Sequence, residues 1–173
     1  MTTTTFGPGS GELTLHTGVT GKASRTGHRL TIGFDDWSAT VDVDAPGAVQ
    51  VRVRVDSLQV LAGEGGLTPM TPPERAVARA NALKSLQAAK HPEIVFTAET
   101  AEPDGDGYRF AGRLTVAGTT RDHTVTVAPT GAGTVAGQSV VTHRDHGLKQ
   151  YSLMMGALKV ADEVTVRLAL TLP

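Results

Sequence analysis

Residues 49–55 read Val-Gln-Val-Arg-Val-Arg-Val. Every second side chain is apolar and those between are polar or charged. Side chains alternate across a β-strand, so this stretch forms a strand with one dry face and one wet face. The same alternation recurs at 12–16, 30–32, 37–43, 94–98, 108–116, 123–127, 139–142 and 164–170. Turn-forming clusters separate the runs: Ala45-Pro46-Gly47, Pro103-Asp104-Gly105-Asp106-Gly107, Ala117-Gly118 and Gly131-Ala132-Gly133. About eight half-buried strands joined by short turns point to an all-β, antiparallel barrel or sandwich.

One helix interrupts the strands. Thr71-Pro72-Pro73-Glu74 has a capping residue, a proline at the first helical position and a glutamate where a capping box needs it. Val77, Ala80, Leu83 and Leu86 then recur along one side. Pro92 disfavours helical geometry at His91, so the helix is expected over about 72–90. Its small apolar face suits covering a barrel. The glycine-rich piece 61–66 reads as a mobile loop leading into the helix. The Thr-rich residues 1–9 read as a flexible N-terminus, with 10–173 as a single domain.

The formal net charge of −1 offers no basic face for nucleic acid. The absence of cysteine removes disulfides, thiolate catalysis and Cys-based metal sites. No stretch approaches the ~20 apolar residues of a membrane span. The opening MTTTTFGPGSGELTL has neither a basic n-region nor an apolar h-region, so the expectation is a cytoplasmic protein.

Chemistry-bearing patterns are few. His143-Arg144-Asp145-His146 holds two imidazoles and a carboxylate, but no third metal ligand is fixed by spacing and no HExxH pattern occurs. No metal and no cofactor is expected. Asp104-Gly105-Asp106-Gly107 lacks the remaining ligands of a calcium loop and reads as a hairpin turn. No Gly-x-Ser-x-Gly elbow or phosphate loop is present, and no catalytic residue is assigned. An eight-stranded barrel has room for packed side chains or for one small ligand. With one Trp, two Tyr and four Phe, the inward set is mostly Val, Leu and Ile. Periodicity leaves a hollow barrel and a filled one both open.

Four stretches carry a resemblance. They are residues 17–30 with Gly27-His28, the junction His91-Pro92-Glu93-Ile94-Val95-Phe96, the hairpin 112–121 (GRLTVAGTTR), and the closing pair Arg144-Asp145-His146-Gly147-Leu148 and Val160-Ala161-Asp162-Glu163-Val164. In order and spacing they resemble the YceI-like family of polyisoprenoid- or lipid-binding domains. The resemblance covers the chain from about residue 10 to the end. It implies an eight-stranded, lipocalin-like antiparallel barrel holding an apolar cavity for an isoprenoid chain or similar amphiphile, no enzyme activity, and a homodimer in many members. This sequence departs from the family by carrying His146 where an aromatic residue is usual.

Strand parity then names the expected cavity residues: Val51, Val53, Val55, Ile94, Phe96, Phe110, Leu114, Val116, Val125, Val127, Val141, Val164, Val166 and Leu168. Met154, Met155 and Leu158 join them, because methionine suits adaptable apolar surfaces. The mouth is expected at His28, Arg144, His146, Lys149 and Tyr151, orienting a head group. The expected partner is a hydrophobic small molecule or lipid: an isoprenoid, an isoprenoid quinone or a fatty amphiphile. Two alternatives stand beside this reading. One is a filled barrel acting as a protein-interaction module through 148–158. The other is a small cavity enzyme with His28 or His146 as base.

Overall fold

The computed structural model describes residues 3–44 and 46–173. The fold is one curled antiparallel sheet with a single α-helix. Its strands are β1 (Thr3–Phe6), β2 (Gly11–Thr20), β3 (His28–Phe34), β4 (Trp37–Asp42), β5 (Val49–Arg54), β6 (Leu58–Gly65), β7 (Glu93–Ala98), β8 (Ala101–Asp104), β9 (Gly107–Val116), β10 (Thr119–Gly131), β11 (Thr134–Thr142), β12 (Ser152–Leu153) and β13 (Leu158–Thr171). The helix α1 (Pro72–Ser85) stands between β6 and β7. Hydrogen-bonded neighbours run β1-β4-β5-β7-β9-β10-β11-β13-β2-β3-β6, with β8 on β9 and β12 on β13. Among the described residues, thirteen strands stand where about eight were expected from sequence.

The difference has two physical sources. Long strands are broken at a corner: β3 passes into β4 across Asp35-Asp36, and β5 into β6 across a 3-10 turn at Val55–Ser57. The corner is pinned by the backbone bonds Asp35 N–H to Ser57 O, Arg54 N–H to Asp36 O, and Val55 N–H to Pro92 O. The alternation of residues 49–54 therefore stops one residue before Val55. The remaining extra strands are short edge pieces, one of them from the N-terminal segment read as flexible. Thr3–Phe6 pairs with β4, and Phe6 is buried in the core. The turn at 45–47 includes Ala45, which lies outside the described residues.

The segment 61–66 is not a free loop. Residues 58–65 pair with β3 from Phe34↔Leu58 to His28↔Gly65. A Cβ at Gly63 would run into Met70 Sδ and stand 3.3 Å from His28 Cβ. Glycine is there for close approach of the segment leading to the helix.

The helix begins as expected. Thr71 accepts from the Glu74 N–H at 3.3 Å, Glu74 accepts from the Thr71 N–H at 3.0 Å, and Pro72 opens the first turn. It ends at Ser85, not near 90. Gln87 turns left-handed at φ 55°, and the Ala88 N–H reaches back to Leu83 O. The outer surface is charged, with cross-strand pairs such as Arg113–Asp122 at 2.9 Å in register on β9 and β10. Apolar side chains cluster on the concave side: one group around Phe6, Leu13, Ile32, Phe34, Trp37 and Leu58, another around Phe96, Phe110, Leu114 and Val116.

Candidate functional site: an apolar cavity

The concave side of the sheet lines an open cavity of about 740 Å3. Parity explains the wall. On β5, Val49, Val51 and Val53 line it, while Gln50 and Arg52 face out. On β13, Val164, Val166, Leu168 and Leu170 do the same. The cavity runs the length of the strands, since Lys159 and Leu170, near opposite ends of β13, both line it.

The expected wall residues Val51, Val53, Ile94, Phe96, Phe110, Leu114, Val116, Val125, Val127, Val141, Leu158, Val164, Val166 and Leu168 all line this space. Val55 does not: it sits in the corner turn and is 1% exposed. Met154 and Met155 do not line it either. Both adopt left-handed backbone (φ 53° and 56°) in a 3-10 turn, and Met155 is fully exposed. The stretch after residue 153 therefore carries them outward.

Of the mouth residues, His28 and Tyr151 line the cavity. The His28 ring donates from Nε2 to Thr68 O at 2.8 Å, tying β3 to the approach to α1. Arg144 points to solvent, its guanidinium 3.5 Å from Asp162, and Lys149 is exposed. His146 is buried behind the wall, donating from Nδ1 to Thr119 O at 3.0 Å. It is a structural clip between the 3-10 turn Arg144–His146 and the start of β10, as the charge of its flanking residues could not reveal. Among the described residues, no group of three metal-ligating side chains comes together.

Several lining residues were not anticipated. Glu74, Val77, Ala78, Asn81, Ala82 and Ser85 present one face of α1 to the cavity at i, i+3, i+4, i+7, i+8, i+11. The expected stripe shares only Val77 and Leu86 with this face; Leu83 packs on the core beside it and Ala80 is exposed. His143 lines the cavity with its Nδ1 donating to Asp162 O at 2.8 Å.

His123 is the second omission. It is two residues before Val125 on the same strand, so the parity that put Val125 and Val127 inside puts His123 there as well. Its ring meets Phe96 edge-on, with centroids 5.9 Å apart at 82°. Burial, with a smaller repulsion from His146, holds the imidazole below its ordinary pKa and favours the neutral form. His16 is also lowered, first by burial and then by Arg167, with Glu64 opposing.

The YceI-like domain profile matches residues 10–172. The chain belongs to the YceI-like domain family. Solved structures similar to this YceI-like chain agree on the fold. The crystal structure of Burkholderia cenocepacia BcnA superposes with a TM-score of 0.69 at 16% identity, covering 94% of this chain and 96% of that one. The Campylobacter jejuni YCEI protein gives 0.60 at 16% identity, covering 80% and 81%. A polyisoprenoid-binding domain from Saccharophagus degradans, implicated in plant cell wall breakdown, gives 0.57 at 14% identity, covering 99% and 98%. No protein of curated function matches the chain in sequence. No helix among the described residues is long and apolar enough to cross a membrane.

Proposed function

We propose that this YceI-like protein binds a hydrophobic amphiphile inside the curled sheet and sequesters or transports it. The observation that carries this reading is the cavity of about 740 Å3, walled by Val, Leu, Ile and Phe along whole strands. Counting β3 with β4 and β5 with β6 as two long bent strands, and setting aside the short β1, β8 and β12, eight strands surround it. That is the strand number of a lipocalin-like barrel with room for one ligand. At about 30 Å3 per water-sized group, the space suits a ligand of roughly 25 heavy atoms. An isoprenoid, an isoprenoid quinone or a fatty amphiphile fits. Each buried methylene contributes about 0.8 kcal/mol before the costs of binding.

The structurally similar polyisoprenoid-binding domain from Saccharophagus degradans supports the same class of ligand for this chain. The open interior speaks against the filled, protein-docking alternative. A cavity enzyme using His28 or His146 finds less support, because each of those rings is engaged with a backbone carbonyl. The test is native mass spectrometry of protein purified from its own host, followed by organic extraction. A stoichiometric lipid of defined mass is expected. Protein that is empty and takes up no offered isoprenoid or fatty amphiphile would sink the reading.

A further inference from the structure

An imidazole inside an apolar cavity needs a reason. His16, His28, His143 and His146 each bond a protein oxygen through the ring. His123 bonds none among the described residues, and its ring faces the cavity rather than being sealed in the wall. It lines the cavity, and its wall neighbours are apolar or small. Val125 and Val127 follow it on β10, Phe96 stands edge-on, and its register partner on β9 is Gly112. Gly112 in turn packs tightly against the Thr97 carbonyl and Ala98, so it offers the ring no polar side chain. The other charged or ionisable members of the lining stand on other elements: Asp42 closes β4, Glu74 is in the first turn of α1, Tyr108 is second in β9, Tyr151 precedes β12, Lys159 is second in β13, His28 opens β3 and His143 follows β11. His146, outside the lining, is near enough to repel a charge on the ring.

A ligand that displaces water from the ring must supply a partner for it, because a polar group left dry and unpaired is unfavourable. A neutral imidazole has one N–H donor and one lone pair. A hydroxyl can meet both and a carbonyl can accept from the N–H. A carboxylate or phosphate calls for a cation, which this part of the wall does not provide.

We propose that His123 is the interior anchor for the ligand's polar group, and that this group is an uncharged hydroxyl or carbonyl. The proposal rests on the cavity-binding reading above. It puts the head group inside the cavity on β10, not among the polar side chains at the mouth. The lowered pKa of the ring agrees with it, since the ring stays neutral at neutral pH.

The test uses three probes of one chain length: 1-dodecanol, dodecane and dodecanoate. Each displaces N-phenyl-1-naphthylamine from the full-length protein at pH 7.5. One hydrogen bond made in place of an unmade one predicts that dodecanol binds about tenfold tighter than dodecane. In His123→Leu that preference should fall to one or below, since the hydroxyl is then left without a partner; in His123→Gln, which keeps a donor and an acceptor, part of it should return. If His123→Leu does not fold, imidazole 15N shifts in the unaltered protein decide: dodecanol should move those of His123 and dodecane should not. A leucine variant that keeps the preference, or an unaltered protein without one, overturns the assignment of His123 and leaves the cavity reading standing. Dodecanoate binding tighter than dodecanol overturns the uncharged head group. Failure to bind the dye and all three probes overturns the cavity reading itself.

Discussion

Val53 and Val55 are equivalent in the alternating stretch that sets the fold, and the structure separates them. Val53 lines the cavity; Val55 is sealed in the corner turn. Truncation to alanine should therefore cost different amounts. Each change deletes two methyl-sized groups, worth about 1.6 kcal/mol at ~0.8 kcal/mol each when fully buried. At Val55, which is 1% exposed, the surroundings are closed on all sides. A new void forms, and at about 24 cal/mol per Å3 a space of some 30–40 Å3 adds roughly another 0.7–1 kcal/mol. The expected loss for Val55→Ala is about 2–3 kcal/mol. Val53 is 6% exposed and also lines the cavity, so its transfer loss is close to that at Val55, but the space left there joins the cavity and no separate void is created. The expected loss for Val53→Ala is about 1.6 kcal/mol. The assay is equilibrium urea unfolding followed by circular dichroism, with both variants at matched m-values. Equal losses, or a larger loss at Val53, would mean that the interior beside β5 is packed, and the cavity argument would fail there.

Acidification should destabilise the protein. The folded pKa values of His123 and His16 lie below the ordinary 6.5 of the unfolded chain. Between the folded and unfolded values the unfolded state holds more protons, so stability present above pH 6.5 is lost as pH falls through the folded values. Urea midpoints from pH 7.5 to 5 should decline, and His123→Leu should flatten part of that decline; a midpoint that rises on acidification contradicts the environment described. Gly112→Ala should destabilise by about 1–3 kcal/mol, because its Cβ would strike the Thr97 carbonyl oxygen on β7; thermal unfolding reads it. Trp37→Phe should be nearly neutral in chemical denaturation despite the loss of a large buried ring, since the indole Nε1 is buried without a hydrogen-bond partner. A loss above about 3 kcal/mol there would point to a partner for that nitrogen.

How much of this was legible in the residues varies by element. Alternation is a local property, so the wall strands could be read directly: residues 49–54, 94–98, 108–116 and 164–170 all present the expected face. The corner at Val55–Ser57 could not, because Val55 continues the alternating pattern and the break is imposed by bonds to distant Asp35, Asp36 and Pro92. The strand at 58–65 was hidden by its glycines, whose reason is Met70 and His28, remote in sequence. Met154 and Met155 were read as wall by their chemistry, whereas two successive left-handed residues turn them outward. His123 is a different case. The parity of Val125 and Val127 already contained it, and only the habit of expecting apolar residues inside set it aside.

The register between β2 and β13 has a bearing on how the protein is made. Leu13 faces Leu168 and Leu15 faces Val166, so strands from opposite ends of the chain complete the enclosure. β13 also pairs with β11, which makes it the last stave of the vessel. Until it emerges from the ribosome, every earlier strand belongs to an open sheet whose oily side has nothing to face. At roughly 5–20 residues per second, that interval lasts many seconds, and contacts so distant in sequence close slowly even afterwards. The apolar face is therefore a surface before it is the lining of a cavity.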